Sequence, residues 1–199
     1  MYRNALALSL AAIVVAGLTV LADTAGPSRA DAVSLKRKVT SITEFSARPT
    51  KQPRRTTVTE NEVNAYLTFD ALDQLPAGVV EPVITIVGPG RVTGRAVVDL
   101  DAVRKQKQRG WLDPMAYLTG SLPLTASGLL ITKDGVGRFQ LESAQISGVS
   151  VPKSLLQELL AYYSRTPEKP HGISMDDPFE LPAHIREIRV ERGQATILQ

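Results

Sequence analysis

The sequence predicts an α+β protein built on antiparallel strands, and three observations carry that prediction. Two strand-like runs, 128–132 and 136–146, flank Lys133-Asp134-Gly135. An Asp-Gly step between such runs signals a hairpin, because glycine accepts positive φ without steric cost. Along 91–100 the small and apolar residues Val92, Gly94, Ala96, Val98 and Leu100 alternate with Thr93, Arg95 and Asp99, Val97 being the exception. Such alternation means one packed and one wet face, which is the habit of antiparallel sheets. Directly after the long hairpin, Leu155, Leu156, Leu159, Leu160 and Tyr163 recur at helical spacing. An apolar helix tied so closely to a hairpin is expected to lie across the sheet.

The elements follow in order. Arg3 precedes a run of small and apolar residues over 5–22. A charged start, an apolar run and small residues after it describe an export signal over 1–30, with candidate cleavage after Ala22 or after Ala30. The run is also close to the length of a short membrane span, so retention as an uncleaved anchor is the alternative. Either way the folded part is expected outside the cytoplasm, in the periplasm or cell envelope. Next come a basic N-terminal helix and linker over 31–58. The helix is expected over 31–47, with Val33, Leu35, Val39 and Ile42 inward. Lys36, Arg37 and Lys38, with Arg48, Lys51, Arg54 and Arg55 in the Pro-containing loop that follows, form the main basic cluster, read either as a solvated face and linker or, at Lys36, Arg37, Lys38, Arg54 and Arg55, as contact with anionic lipid headgroups. Nucleic acid is disfavoured, because no aromatic residues interleave with these charges.

A single domain is expected over 59–199. Thr59 and Glu62 form a capping box, so a helix starts there, with Val63, Tyr66, Leu67 and Ala71 on one face and an end near Leu72. Asn64 is placed on its exposed side. Strands are expected over 82–87 and 91–100, joined by Gly88-Pro89-Gly90, which supplies a turn. Residues 101–110 form an exposed helix or loop, followed by a segment with Trp111, Met115 and Tyr117, read either as a small satellite core under a connection or as a half-wet lip at a pocket mouth or membrane surface. Pro123 marks the strand over 122–132 as an edge or bent segment. Pro152 belongs in the first turn of the apolar helix, with Ser150 or Val151 near its cap. Residues 165–178 form a polar, Pro-containing loop. Strands over 185–191 and 195–198, joined at Arg192-Gly193, close the chain. A short echo relates 75–81 to 181–187, each leading into a strand.

Composition narrows the chemistry. The 199 residues suit one aliphatic core, with aromatic residues at only 5% and a net charge of +3. The absence of cysteine excludes a disulfide framework and thiolate catalysis. His171 and His184 lack the paired spacing of a zinc helix. Gly88, Gly90 and Gly94 precede a strand, not the helix that a dinucleotide fingerprint requires. Asp99 with Asp101, and Asp176 with Asp177, lack the ordered oxygen series of calcium loops. Ser150-Val151-Pro152-Lys153 matches a Ser-x-x-Lys pattern, but no Lys-Thr-Gly or Ser-Asp-Asn accompanies it. No enzyme activity and no cofactor are therefore expected.

Three stretches together resemble a known family. They are the helix start from Thr59-Glu60-Asn61-Glu62 to Leu67, the junction from Ile146-Ser147-Gly148 to Leu156, and the closing run from Leu181-Pro182 to Gly193. They are similar to the LmeA-like exported bacterial phospholipid-binding proteins, and more loosely to AsmA-like and tubular lipid-binding proteins. The resemblance implies a curved antiparallel sheet wrapped around a long amphipathic helix, enclosing an apolar channel for acyl chains. The expected partner is then a phospholipid or another acyl-chain lipid. Val92, Ala96, Val98, Phe139 and Leu141 would line the site from the strands, and Leu155, Leu156, Leu159 and Leu160 from the helix. Trp111, Met115 and Tyr117 would stand at its mouth. The alternative is a structural or interaction module of the envelope with a closed core and no lipid.

Overall fold

A computed structural model describes residues 26–48, 52–75, 78–102, 120–163, 165 and 169–199. It is an α+β structure with two antiparallel sheets. The first helix, α1 (Arg29–Ser46), starts where Ser28 and Asp31 form a reciprocal capping box. The first strand, β1 (Arg55–Thr59), leads directly into α2 (Glu60–Phe69), whose cap is the expected Thr59/Glu62 box. A short 3-10 turn, Leu72–Gln74, follows the helix, which therefore ends earlier than its apolar pattern suggested.

Four longer elements form the main sheet: β2 (Val79–Gly88), β3 (Arg91–Asp99), β4 (Ser121–Lys133) and β5 (Val136–Ile146). Two short strands extend it, β6 (Val149–Ser150) and β7 (Phe179–Glu180). The strand order is β2-β3-β4-β5-β6, with β7 also on β5. Tight turns explain why these strands pair with their neighbours in sequence. Asp134 and Gly135, at φ 50 and 83, join β4 to β5, and Ser147 and Gly148, at φ 50 and 80, join β5 to β6. Positive φ at both central residues matches the right-handed twist of a hairpin. A helix α3 (Lys153–Tyr163) comes after β6. Ser150 thus lies in a strand, while the Pro152 carbonyl accepts from the Leu156 N–H at 3.3 Å, so Pro152 stands at the cap, one place before the first turn expected of it, with Val151 next to the cap. The second sheet has the order β1-β9-β8, with β8 (Glu187–Glu191) and β9 (Gln194–Leu198) joined at Arg192-Gly193.

The segment expected as a basic helix and linker is woven into the fold, since β1 pairs along its whole length with β9. The α1 and α2 helices pack against each other, and Glu62 sits between them. Its carboxylate accepts from Ser34 Oγ at 2.6 Å, Lys38 Nζ at 2.7 Å and its own cap's Thr59 N–H at 2.8 Å. Lys38 also donates to the Thr57 carbonyl at 2.7 Å. Arg54 reaches Ser41 through two hydrogen bonds and stacks over Phe45 at 5.2 Å. On α1 the buried residues are Ala32, Leu35 and Ile42, whereas Val33 and Val39 are 45% and 46% exposed. The contact with α2 uses a narrower stripe than the apolar residues alone indicate.

The free edge of β2 is closed by α2. Asn64 donates to the Ile84 carbonyl at 2.8 Å and accepts from the Ile84 N–H at 2.7 Å. Glu60 accepts from the Ile86 N–H at 2.6 Å, and the Ile86 carbonyl accepts from Gly193 at 2.9 Å. Asn64 is buried, not exposed as expected, because its amide supplies both the donor and the acceptor that an edge strand lacks. The small sheet is held to the main one by Thr132, which bonds both the N–H and carbonyl of Ile188 at 2.8 and 3.0 Å. The best-buried apolar residues, among them Leu35, Ile42, Val58, Ala65, Ile86 and Val190, gather around α1, α2, the small sheet and the adjoining β2. Among the described residues, no helix is long and apolar enough to cross a membrane.

Candidate functional site

The strand register sorts the main sheet into two faces. Val92 pairs with Gly128, Gly94 with Ala126, Ala96 with Leu124 and Val98 with Leu122. Beyond β4 the same side continues through Ala144, Leu141 and Phe139 on β5. Paired residues project to the same side of a sheet, so this side is aliphatic almost throughout. The other side carries Thr93, bonded to Ser127 at 2.8 Å, and Arg91, bidentate to Glu142 at 3.0 and 2.9 Å. The expected division into a wet and an apolar side is present. Yet Val92, Ala96, Val98, Leu122, Leu124 and Leu141 are only half-buried.

At the β5 end this apolar side opens into a cavity of about 580 Å³. Phe139 comes from β5, Leu160 from α3, and Ile173, Met175 and Phe179 from the segment leading to β7. Lys169, Ser174 and Asp177 add polar groups to the wall. Gln157 positions the loop: its Nε2 donates to the Ile173 carbonyl at 3.1 Å and its Oε1 accepts from the Met175 N–H at 2.7 Å. Lys153 adds an ion pair to Asp176 at 2.6 Å. Gly172, at φ 74, lies against the Ala161 backbone, where no Cβ would fit. In the wall of this cavity Phe179 (43%) and Ile173 (42%) are exposed. Such clustering is uncommon on a surface meant only for water.

The structure brings Phe139 and Leu160 together in the cavity wall and places Val92, Ala96, Val98 and Leu141 on the adjoining sheet face. Leu156 is half-buried and Leu155 exposed on α3. The side chain of Leu159, and Trp111, Met115 and Tyr117, lie outside the described residues. The helix expected to span the sheet is 11 residues long and meets it at β5. Ile173, Met175, Phe179 and Gln157 were missed, because the segment after α3 reads as a polar loop. Alternation of Ile173 and Met175 ahead of Phe179 was the available signal.

The basic cluster divides. Lys36, Arg37 and Arg55 are exposed, while Lys38 and Arg54 are half-buried and hydrogen-bonded within the fold, to Glu62 and Ser41. Burial of Glu62 favours its neutral form, but hydrogen bonds from Lys38, Ser34 and Thr59, with the Lys38 charge, outweigh it and hold the carboxyl below its ordinary value. The remaining candidates have structural partners. Asp99 caps the turn after β3 by accepting from the N–H groups of Asp101 and Ala102 at 2.9 and 3.0 Å. Lys153 is paired to Asp176, away from an amine's role beside Ser150. Among the described residues no group of three or more His, Cys, Asp or Glu side chains is placed to hold a metal ion.

No protein-family model matches this chain, and no curated protein matches it. Among solved structures it is similar to a crystal structure of a lipopolysaccharide binding protein, at 16% identity and a TM-score of 0.23. That similarity covers 73% of this chain and 40% of the other, so the chain spans well under half of that protein's length. At so low a TM-score it carries no argument about fold or function.

Proposed function

We propose that this chain is a non-enzymatic lipid-binding protein of the bacterial cell envelope, taking a phospholipid or another acyl-chain lipid. One observation carries the reading: the aliphatic face of the main sheet is only half-covered and opens at β5 into the 580 Å³ cavity. Small-molecule sites are concave, mostly apolar and supplied with few polar groups, and this volume lies within their range of about 300–1,000 Å³. Acyl chains would lie along Val92, Ala96, Val98 and Leu141 and enter between Phe139 and Leu160. The sheet would wrap around α3 in the loaded state, with the half-exposed leucines of α3 turned onto the lipid. Export follows from the apolar N-terminal run, and the exposed Lys36, Arg37 and Arg55 would face anionic membrane.

Native mass spectrometry of the purified full chain, followed by lipid extraction, tests the reading. A bound lipid is expected, lost in Leu160→Arg while circular dichroism and melting temperature stay near those of the parent. A lipid-free mass after incubation with envelope phospholipids would overturn it and favour an interaction module with a closed core.

A further inference from the structure

A separate cavity of about 300 Å³ lies where the end of α1, the 52–53 segment, residues 184–186 and Gln199 meet. None of its residues lines the apolar cavity. Two guanidinium groups, Arg48 and Arg186, share its wall with the His184 imidazole. All three side chains are exposed, so their charge and donors are open to a ligand. Phe45 and Pro53 form an apolar wall, and Arg54 stacked over Phe45 adds a further fixed positive charge. The adjacent acid, Glu187, is already held through both oxygens by Arg189 at 2.9 and 3.1 Å.

The backbone beneath is unusual. Ala183 and His184 are consecutive non-glycine residues at φ 53. Such positions persist only where surrounding structure over-determines them, and they gather at ligand sites. Gln199 provides that constraint: it is buried, and its Nε2 donates to the Ala183 carbonyl at 2.8 Å and to the Ile42 carbonyl of α1 at 3.0 Å. One amide thereby fixes the left-handed step that presents His184, and fixes it against the helix that precedes Arg48.

We propose that this cavity binds a phosphate group, held by the Arg48 and Arg186 guanidinium groups and the His184 imidazole. Arginine forks match the several oxygens of a phosphate, and the cavity is at the small end for ligands, the size of a headgroup and not of an acyl chain. The site does not depend on the lipid reading. Its phosphate has two sources, a soluble phosphate ester or a lipid headgroup.

Calorimetric titration of the full chain with glycerol 1-phosphate tests it. Saturable binding is expected, at least tenfold weaker in the Arg48→Gln/Arg186→Gln double variant. Both arginines are exposed, so the fold should be kept, as melting temperature will check. Arg95→Gln/Arg192→Gln removes the same charge at exposed positions outside both cavities and is expected to leave binding within twofold. Absence of saturation, or equal weakening in the two double variants, overturns the site. Vesicles of phosphatidylglycerol then separate the sources: weaker recruitment of the Arg48→Gln/Arg186→Gln variant supports the site with a lipid headgroup. Unchanged recruitment, with glycerol 1-phosphate binding lost, supports it with a soluble ester.

Discussion

At the scale of single residues, two buried polar side chains decide how the helices meet the sheets. Glu62, 6% exposed, takes hydrogen bonds from Ser34 and Lys38 of α1 and from the N–H of Thr59, its own cap at the end of β1. Its folded pKa is lowered, so the carboxylate's contribution is complete above the unfolded value and is lost as pH falls through the folded value. Stability of the parent should therefore decline from about pH 5 downward, and Glu62→Gln should flatten that decline in acid melts while costing roughly 1–3 kcal/mol at neutral pH. A pH profile identical in parent and variant would remove Glu62 from this role. Asn64 is a different case, since it replaces a missing neighbour strand at Ile84. Asn64→Ala leaves a backbone donor and acceptor without partners and should cost about 2–4 kcal/mol in urea unfolding, taking roughly 1–3 for each orphaned group in part. Asn64→Asp retains an acceptor for the N–H yet sets a carboxylate against the Ile84 carbonyl, so it should rescue little.

At the scale of elements, legibility in the sequence follows how local the determining forces are. The hairpins at Asp134-Gly135 and Arg192-Gly193 were readable because their chemistry lies within the turn itself. The Thr59/Glu62 cap was readable for the same reason. The orientation of α1 was not, because Val33 and Val39 are as apolar as Leu35, and only contact with α2 selects the inward stripe. Asn64 was misplaced because an edge strand needing its amide is distant in sequence. Of the candidate site, Phe139 and Leu160 were visible as apolar positions, but Ile173, Met175 and Phe179 depend on Gln157 drawing their loop onto α3. Two predictions belong here. Phe139 packs over bare Gly128, where a Cβ would press on its ring and on the Gln140 carbonyl. Gly128→Ala should therefore cost about 1–3 kcal/mol and weaken lipid retention; an unchanged melting temperature would contradict this packing. The cap of α1 bears on processing. Cleavage after Ala30 would cut the first helical turn and discard Ser28, whose cap contributes about 1 kcal/mol. If the export signal is removed, the intact mass of the mature protein should place its start at Asp23 rather than Asp31.

At the scale of the whole molecule, burial is uneven, and that unevenness predicts where the protein opens. Most of the residues best removed from water gather around α1, α2, the small sheet and the adjoining β2, Leu100 and Ala144 lying apart from them. The far side, β5 to β7 with α3, leaves Val149, Leu155, Ile173 and Phe179 exposed. Local opening free energy tracks buried apolar contact, so stability should fall from the first region to the second. The asymmetry is also what a site for an apolar guest requires, because a surface already sealed by its own side chains has nothing left to offer. Hydrogen exchange on the full chain should show slow amides in α2, β1 and β9 and faster ones in α3 and β7. On adding phospholipid, protection should rise selectively in β5, α3 and the 172–179 segment, with the α1–α2 region unchanged. A uniform rise would indicate general stabilisation rather than occupancy of this face. No rise would mean that the apolar side is covered by something other than lipid.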